Sequence, residues 1–286
     1  MAPTKERGHS AILIRYKNEN ILFDCGEGTQ RQFRIAGIKP TKITKILISH
    51  WHGDHCLGLP GLIETMGMDE YNNNLKIYGP QGTKQFLKYM FKGIVSGNHI
   101  DFDVEEIKKR KLYDCKDFFL EALELKHGPK TFGFSFVEKD KRKIKVSVIK
   151  KLGIPEGPLL GDLQNNKPIK WKGKVIKPSQ VTYVEKGRKI TYVADTSPCK
   201  NAVVLAKDAD VLICESSFTT EHVERADKYN HMTAKQAGLV ANQAGAKKLI
   251  LTHFSRRYQD TKVLEEDAKS VFDNVAAAYD FMRIKL

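Results

Sequence analysis

The chain has 286 residues, 41% hydrophobic and 29% charged, which is long enough for one large core and too apolar for a disordered or fibrous protein. No apolar run reaches the ~18 residues of a membrane span, and Met1 to Ser10 contain no secretory h-region, so a cytoplasmic protein without a membrane partner is predicted. Forty-eight basic residues against 34 acidic ones leave a net charge of +14, the balance expected when the partner is a polyanion.

In chain order, short runs rich in Ile, Leu, Val and Phe predict strands over residues 11–16, 21–23, 46–49, 75–78, 118–126, 132–137, 190–194, 211–214 and 249–252. Apolar residues three and four apart predict helices over 82–91, 200–207, 233–245 and 262–278. The third opens with Thr233 and Gln236 in capping-box spacing, directly after His231. Strands dominate the first half and alternate with helices in the second, the pattern of an α/β protein with sheets inside and helices outside. Residues 139–177 break the rhythm. They are rich in Gly and Pro and carry twelve basic residues against three acidic ones, which localises nine of the fourteen excess charges; a connection of this length is functional or disordered. The five cysteines include no CxxC pair, so neither a disulfide framework nor a thiolate metal site is indicated.

Chemistry concentrates in Ser49-His50-Trp51-His52-Gly53-Asp54-His55, immediately after an apolar run. In an extended segment alternate side chains share a face, so His50 and His52 can grip one ion while the turn at Gly53 swings Asp54 and His55 toward a second. Neutral imidazole and carboxylate suit zinc and similar first-row metals. His127, Asp195 and His253 each follow a predicted strand, where a sheet fixes the backbone and leaves loops free to specialise, and they supply the ligands that the first cluster lacks.

The order HxHxDH followed by His, Asp and His at strand ends resembles the metallo-β-lactamase superfamily, and within it the chain resembles the RNase Z family, endonucleases that remove 3′ trailers from precursor tRNA. The resemblance rests on Pro3 to Arg7, Asp24 to Gln32 (DCGEGTQRQ), His50 to His55 with Leu57 to Leu62, Tyr78-Gly79-Pro80, Asp195-Thr196, His231 to Ala234 and Thr252 to Tyr258 (THFSRRY), and so spans nearly the whole chain. It implies an α/β metallo-β-lactamase fold, a four-layered αββα sandwich forming one domain over 1–286, with a protruding basic arm inserted at 139–177. It further implies two Zn2+ ions per chain, with Mn2+ or another divalent metal as the alternative. His50, His52 and His127 would hold one ion, Asp54, His55 and His253 the other, and Asp195 would bridge them, so that a shared hydroxide attacks the phosphodiester and leaves a 3′-hydroxyl on the tRNA and a 5′-phosphate on the trailer. Asp54 would also accept a proton from the water, His231 would protonate the leaving oxygen, and Glu215 would orient and charge His231. Asp24 is expected beside a ligand histidine.

The same resemblance makes Gly153 to Gly161, with Gly157 and Pro158 at its centre, the core of an arm that grips tRNA. Lys150 and Lys151 would contact phosphates, and Arg256 or Arg257 would hold a phosphate near the metals. Precursor tRNA and a second copy of the chain, in a homodimer, are the implied partners. Two departures stand out: relatives generally begin with a strand ahead of Pro-Thr, whereas this chain starts within that motif, and the arm's entry, Lys139 to Lys143, lacks the family's Arg-Pro-Gly run. The competing readings are a hydrolase of a small phosphodiester or sulfate ester, which needs no basic arm, and a catalytically silent RNA-binding relative, which needs no intact ligand set.

Overall fold

The computed structural model describes residues 1–94 and 100–286. The chain divides into two compact units, one comprising Met1–Asp114, Leu120–Phe136 and Lys189–Leu286 and the other Cys115–Phe119 and Val137–Arg188.

In the first unit, strands β1 (Ile12–Tyr16) and β2 (Glu19–Phe23) form an antiparallel hairpin with Ile12 opposite Phe23. Strands β3 (Lys45–Leu47), β4 (Leu75–Gly79) and β5 (Phe102–Glu106) then add in parallel, giving the sheet order β1-β2-β3-β4-β5. Parallel neighbours require crossovers. Helices α1 (Thr29–Ile35), α2 (Gly53–Cys56), α3 (Leu59–Met68) and α4 (Thr83–Lys92) lie in these connections. Leu59, Leu62, Ile63 and Met66 of α3 and Leu87 of α4 join Leu22, Ile46 and Ile77 of the strands in one buried cluster. Helices α1 and α3 went unpredicted because Gly, Pro and polar residues interrupt their short apolar pattern.

Strands β6 (Lys111–Asp114), β7 (Phe118–Leu125) and β8 (Thr131–Glu138) follow, and the chain then enters the second unit. Described by itself, that unit contains β9 (Lys141–Ile144), α5 (Val146–Leu152), α6 (Pro158–Gln164), β10 (Ile169–Trp171), β11 (Lys174–Ile176), α7 (Pro178–Val181) and β12 (Thr182–Glu185). Strands β9 and β12 pair antiparallel, and β10 and β11 form a hairpin whose two turn residues, Lys172 and Gly173, both have positive φ. A tight hairpin needs this backbone twist. Ile149, Ile154, Leu163, Ile169, Ile176 and Val181 form a core of their own. The stretch that showed only weak periodicity is therefore folded: elements of three to seven residues are too short to display a period, and their apolar residues meet only through tertiary packing.

Back in the first unit, β13 (Lys189–Val193), β14 (Val211–Glu215), β15 (Leu249–Thr252) and β16 (Val275–Ala277) pair in parallel succession, in a sheet ordered β16-β15-β14-β13-β8-β7-β6. Helices α8 (Lys200–Ala206), α9 (Val223–Tyr229), α10 (Ala234–Ala244) and α11 (Lys262–Lys269) connect them. Of these, α8 and α10 pack on β13, β14 and β15, and α11 packs on α10 and β16. The capping box at Thr233 is present, and α10 ends at Gly245 with φ 64°. The helix predicted over 262–278 is shorter than expected. It stops at Lys269, and Val275–Ala277 instead adds an edge strand beside β15, because an apolar triplet suits either period and the open sheet edge supplies the hydrogen bonds. Between the sheets, Phe23 lies 5.5 Å from Phe134 and 6.2 Å from Tyr192 (ring centroids), and Tyr16 lies 5.1 Å from Phe136. Helices outside two face-packed sheets make this the α/β four-layered αββα sandwich.

Candidate metal centre

The site forms where strands of both sheets end. From the end of β3 the chain runs through buried Ile48 and Ser49 to His50, and His52, with extended backbone, is the residue before α2. One turn of α2 then carries Asp54 and His55. His127 follows β7 by two residues, Asp195 follows β13 by two, and His253 directly follows β15 with φ 61°. A histidine in the left-handed region is uncommon, and such conformations cluster at functional sites.

The side chains fall into two sets around Asp195. Ligand atoms of His50, His52, His127 and Asp195 lie within 4.8 Å of one another, as do those of Asp54, His55 and His253. Asp195 Oδ2 is 3.6 Å from His50 Nε2 and 3.9 Å from His127 Nε2, whereas Asp195 Oδ1 is 3.5 Å from His55 Nε2 and 3.3 Å from His253 Nε2. The two oxygens of one carboxylate thus face opposite histidine sets. Asp54 Oδ2 lies 3.3 Å from His253 Nε2 and also accepts from the Met1 amine. Imidazole nitrogens approach to 3.0 Å between His50 and His52 and 3.3 Å between His55 and His253.

Electrostatics favour neutral nitrogen ligands. Burial, reinforced by His55, pushes the pKa of His50 down to about 2, and burial pushes that of His253 down to about 4; His52 and His127 are lowered for the same first reason. His55 differs. Burial pulls it down, but the carboxylates of Asp195 and Asp24 outweigh burial and raise it to about 10. Burial likewise raises Asp195, yet His253 and His55 hold it well below the usual carboxylate range.

Four of the rings are oriented from behind. Asp24, fully buried at the end of β2 with φ 56°, accepts from Ser49 N (2.7 Å), Ser49 Oγ (2.9 Å), Tyr192 OH (2.8 Å) and His55 Nδ1 (2.7 Å). The carboxylate expected beside a ligand histidine therefore serves His55. His127 Nδ1 donates to the Asn230 carbonyl (2.9 Å), His50 Nδ1 meets Ser49 Oγ (3.0 Å) and His253 Nδ1 meets Ser217 Oγ (3.1 Å). Such partners fix ring orientation and tautomer. Ser49, Tyr192, Ser217 and Asn230 escape sequence reading, since nothing in the sequence separates them from other polar residues in strands, loops and helix caps.

The donor set fits divalent metal ions. Asp195 Oδ1 is buried without a hydrogen-bond partner, a costly state unless a cation completes it, and the clustered imidazoles and carboxylates are nitrogen and oxygen donors of the kind such cations take.

His231 lies between these sets, its ring 5.1 Å from that of His127 and 5.3 Å from that of His253, and it can also group with Asp195 and His253. Its Nδ1 bonds Glu215 Oε1 at 2.9 Å. Glu215, fully buried at the end of β14, also accepts from Thr196 N, Ser217 N and Ser217 Oγ. Burial lowers the His231 pKa, but the Glu215 charge and hydrogen bond outweigh it and raise the value above normal. Arg256 and Arg257 are both exposed, and the Arg257 guanidinium lies 5.7 Å over Phe218, whose ring is 6.5 Å from that of His231. Lys150, Lys151, Gly157 and Pro158 belong to the second unit: both lysines are exposed, and Gly157, with φ 139°, precedes Pro158 at the start of α6.

An αββα sandwich with this histidine and aspartate cluster at its strand ends defines a metal-dependent hydrolase of the metallo-β-lactamase fold. Residues 1–148 match the family model described as anti-Pycsar protein Apyc1, and 160–254 match the beta-lactamase superfamily domain. The chain is 41% identical to ribonuclease Z of Chlamydia caviae over 280 residues, covering 98% of this chain and 91% of that one. It is 37% identical to ribonuclease Z of Methanosarcina acetivorans over 289 residues, covering 99% and 94%. Among solved structures, the short form of human tRNase Z superposes with a TM-score of 0.73 at 30% identity, covering 100% of this chain and 95% of that one. The chain belongs to the ribonuclease Z family and is an endoribonuclease.

Proposed function

We propose that the protein removes the 3′ trailer from precursor tRNA with two zinc ions per chain, leaving a 3′-hydroxyl on the tRNA and a 5′-phosphate on the trailer. The observation that carries this reading is the division of Asp195 between the two histidine sets. His50, His52 and His127 would hold one ion, and Asp54, His55 and His253 the other. Bound there, the two ions supply Lewis-acid activation of water and neutralise charge on the phosphoryl oxygens; nitrogen and carboxylate donors suit zinc, with Mn2+ or another divalent metal as the alternative.

The chain's own residues supply the remaining chemistry. Asp54 takes the proton of the attacking water on its carboxylate. His231, held through Nδ1 by Glu215, presents Nε2 to the departing 3′-oxygen, and the Glu215 charge and hydrogen bond, which raise its pKa, favour the protonated form that an acid needs. Glu215 touches no substrate: its other bonds to Thr196 and Ser217 fix it, and it in turn fixes the ring. Arg257 supplies a cation near His231 for a flanking phosphate.

For the second unit, the reading is a basic arm that grips tRNA. A private core beneath exposed lysines such as Lys150 and Lys151, with Gly157 and Pro158 shaping the start of α6, supports a folded phosphate-binding device over a solvated insertion. A hydrolase of small phosphodiesters would have no use for it. The homodimer implied by the family resemblance belongs to the same proposal, as does a cytoplasmic location, which all five cysteines being free supports. The direct test is to incubate the zinc-loaded protein with a precursor tRNA and map both new ends. Cleavage 3′ of the acceptor stem with the stated termini is expected, and release of a 2′,3′-cyclic phosphate would overturn the reading.

A further inference from the structure

Trp51 sits between His50 and His52, and its indole packs toward α4 instead of joining their cluster. Its indole Nε1 donates to Thr83 Oγ1 (2.9 Å), which donates to the Pro80 carbonyl (2.6 Å). This ties the histidine loop to the start of α4. Gly79 is required for the tie, since a Cβ there would lie 2.5 Å from Thr83 Oγ1. Phe86 packs on Trp51, with ring centroids 5.2 Å apart, yet stays 42% exposed. Tyr89, one turn further along α4, is 57% exposed, and its hydroxyl accepts from Gln85 Nε2 (2.7 Å).

Cations flank these rings. Lys84, Lys88 and Lys92 recur every fourth residue, all are exposed, and none forms an ion pair among the described residues. The helix TKQFLKYMFK contains no acid. Toward β5, Lys84 and Lys88 border Asp103 and Glu105, so two of the three charges are offset on that side and Lys92 is the surplus. A protein-docking face is depleted of lysine at its centre, whereas solvent-facing rings interleaved with lysines suit single-stranded nucleic acid.

We propose that Phe86 and Tyr89, with Lys88 and Lys92, form a stacking track for the unpaired 3′ trailer as it leaves the metal centre, an inference that rests on the tRNA-processing reading. The occupant follows from base geometry. Bases of the acceptor duplex are stacked on one another and offer no free face, so only the single-stranded side of the cleavage site can stack on protein rings. The link to the metal centre is along the chain: Trp51, which packs on Phe86, is flanked in sequence by the candidate ligands His50 and His52.

The test compares one tRNA body with a long unstructured trailer or a single-nucleotide trailer, cleaved by wild-type protein, by the Phe86→Ser/Tyr89→Ser double variant and by the Lys88→Gln/Lys92→Gln double variant. The lysine pair keeps the test open if the aromatic pair folds poorly. Expected is a KM ratio, long over short trailer, about tenfold or more higher in the aromatic variant, since each stacked base contributes ~1 to 3 kcal/mol, and a smaller, salt-dependent rise in the lysine variant. A 4-thiouridine trailer oligonucleotide alone should crosslink to the peptide bearing Phe86 and Tyr89. An unchanged ratio overturns the track, and so does an equal loss on both precursors, which would mean that the rings only brace the histidine loop. If wild-type protein cleaves neither precursor, the ribonuclease reading fails, while the crosslink still decides whether the track holds single-stranded RNA.

Discussion

Replacing Asp24 by Asn should weaken metal binding without touching a ligand. Asn has the same shape and tolerates φ 56°, so the backbone is not strained. What changes is hydrogen bonding. Asp24 Oδ1 accepts from Ser49 N, whereas Oδ2 accepts from Ser49 Oγ, Tyr192 OH and His55 Nδ1. Ser49 N can only donate, so the Asn carbonyl must take the Oδ1 place, and its NH2 then faces the other three groups. The two hydroxyls can rotate to accept. His55 can accept only by moving its proton to Nε2, the nitrogen that lies 3.3 Å from His253 Nε2 and 3.5 Å from Asp195 Oδ1. The lone pair aimed at the metal position is lost. Removing such an orienting partner typically costs about 10- to 100-fold in affinity, or ~1.4 to 2.8 kcal/mol, and lost bonds to the buried charge remove ~1.5 to 3 kcal/mol of stability. Competition with a chromophoric chelator measures the first, and denaturant melts of metal-free protein measure the second. Tyr192→Phe is the control, because it removes one bond to the same oxygen and leaves the His55 tautomer alone; its metal affinity should match wild type. An Asn variant that binds its weaker ion within about threefold of wild type would refute the orientation argument.

Further outcomes are expected. His50→Ala or Asp195→Ala should lower metal content and abolish cleavage, and full activity of wild-type protein after exhaustive chelation would sink the metal reading. His231→Ala should slow precursor cleavage by ~10² to 10⁴ with metal content near wild type; a nitrophenyl phosphodiester, whose leaving group needs no proton, should lose far less, and equal losses on both would deny His231 the role of acid. Ile144 and Thr182 are cross-strand partners, so residues 145–181 can be replaced by an Asn-Gly turn. That variant should bind tRNA weakly with a flatter salt dependence, each lost phosphate contact removing about 0.9 from the slope, while nitrophenyl phosphodiester hydrolysis persists; loss of both activities would show that the arm is needed for more than RNA.

Sequence alone determined the features that are local along the chain. Four candidate ligands fall within six residues, His50 to His55, so their convergence needs only one strand end and one helical turn. The central strands were legible because burial on both faces makes them continuous apolar runs, and α10 because its capping box and closing glycine act within a few residues. Tertiary structure decided what depends on distant pairing. His127, Asp195 and His253 each looked like an isolated polar residue after a strand, and only the order β15-β14-β13-β8-β7 in one sheet packed against β3 in the other sets the Asp195 oxygens between two histidine groups. Asp24 is bound by residues 25, 31 and 168 positions away, beyond any local pattern. Whether residues 275–277 became helix or strand was settled by an open sheet edge, and the fold of the second unit by a core assembled from apolar residues too widely spaced to show a period. The division has one physical cause: propensity, capping and turn chemistry act over a few residues, whereas burial and hydrogen-bond partners are assigned only when the layers close.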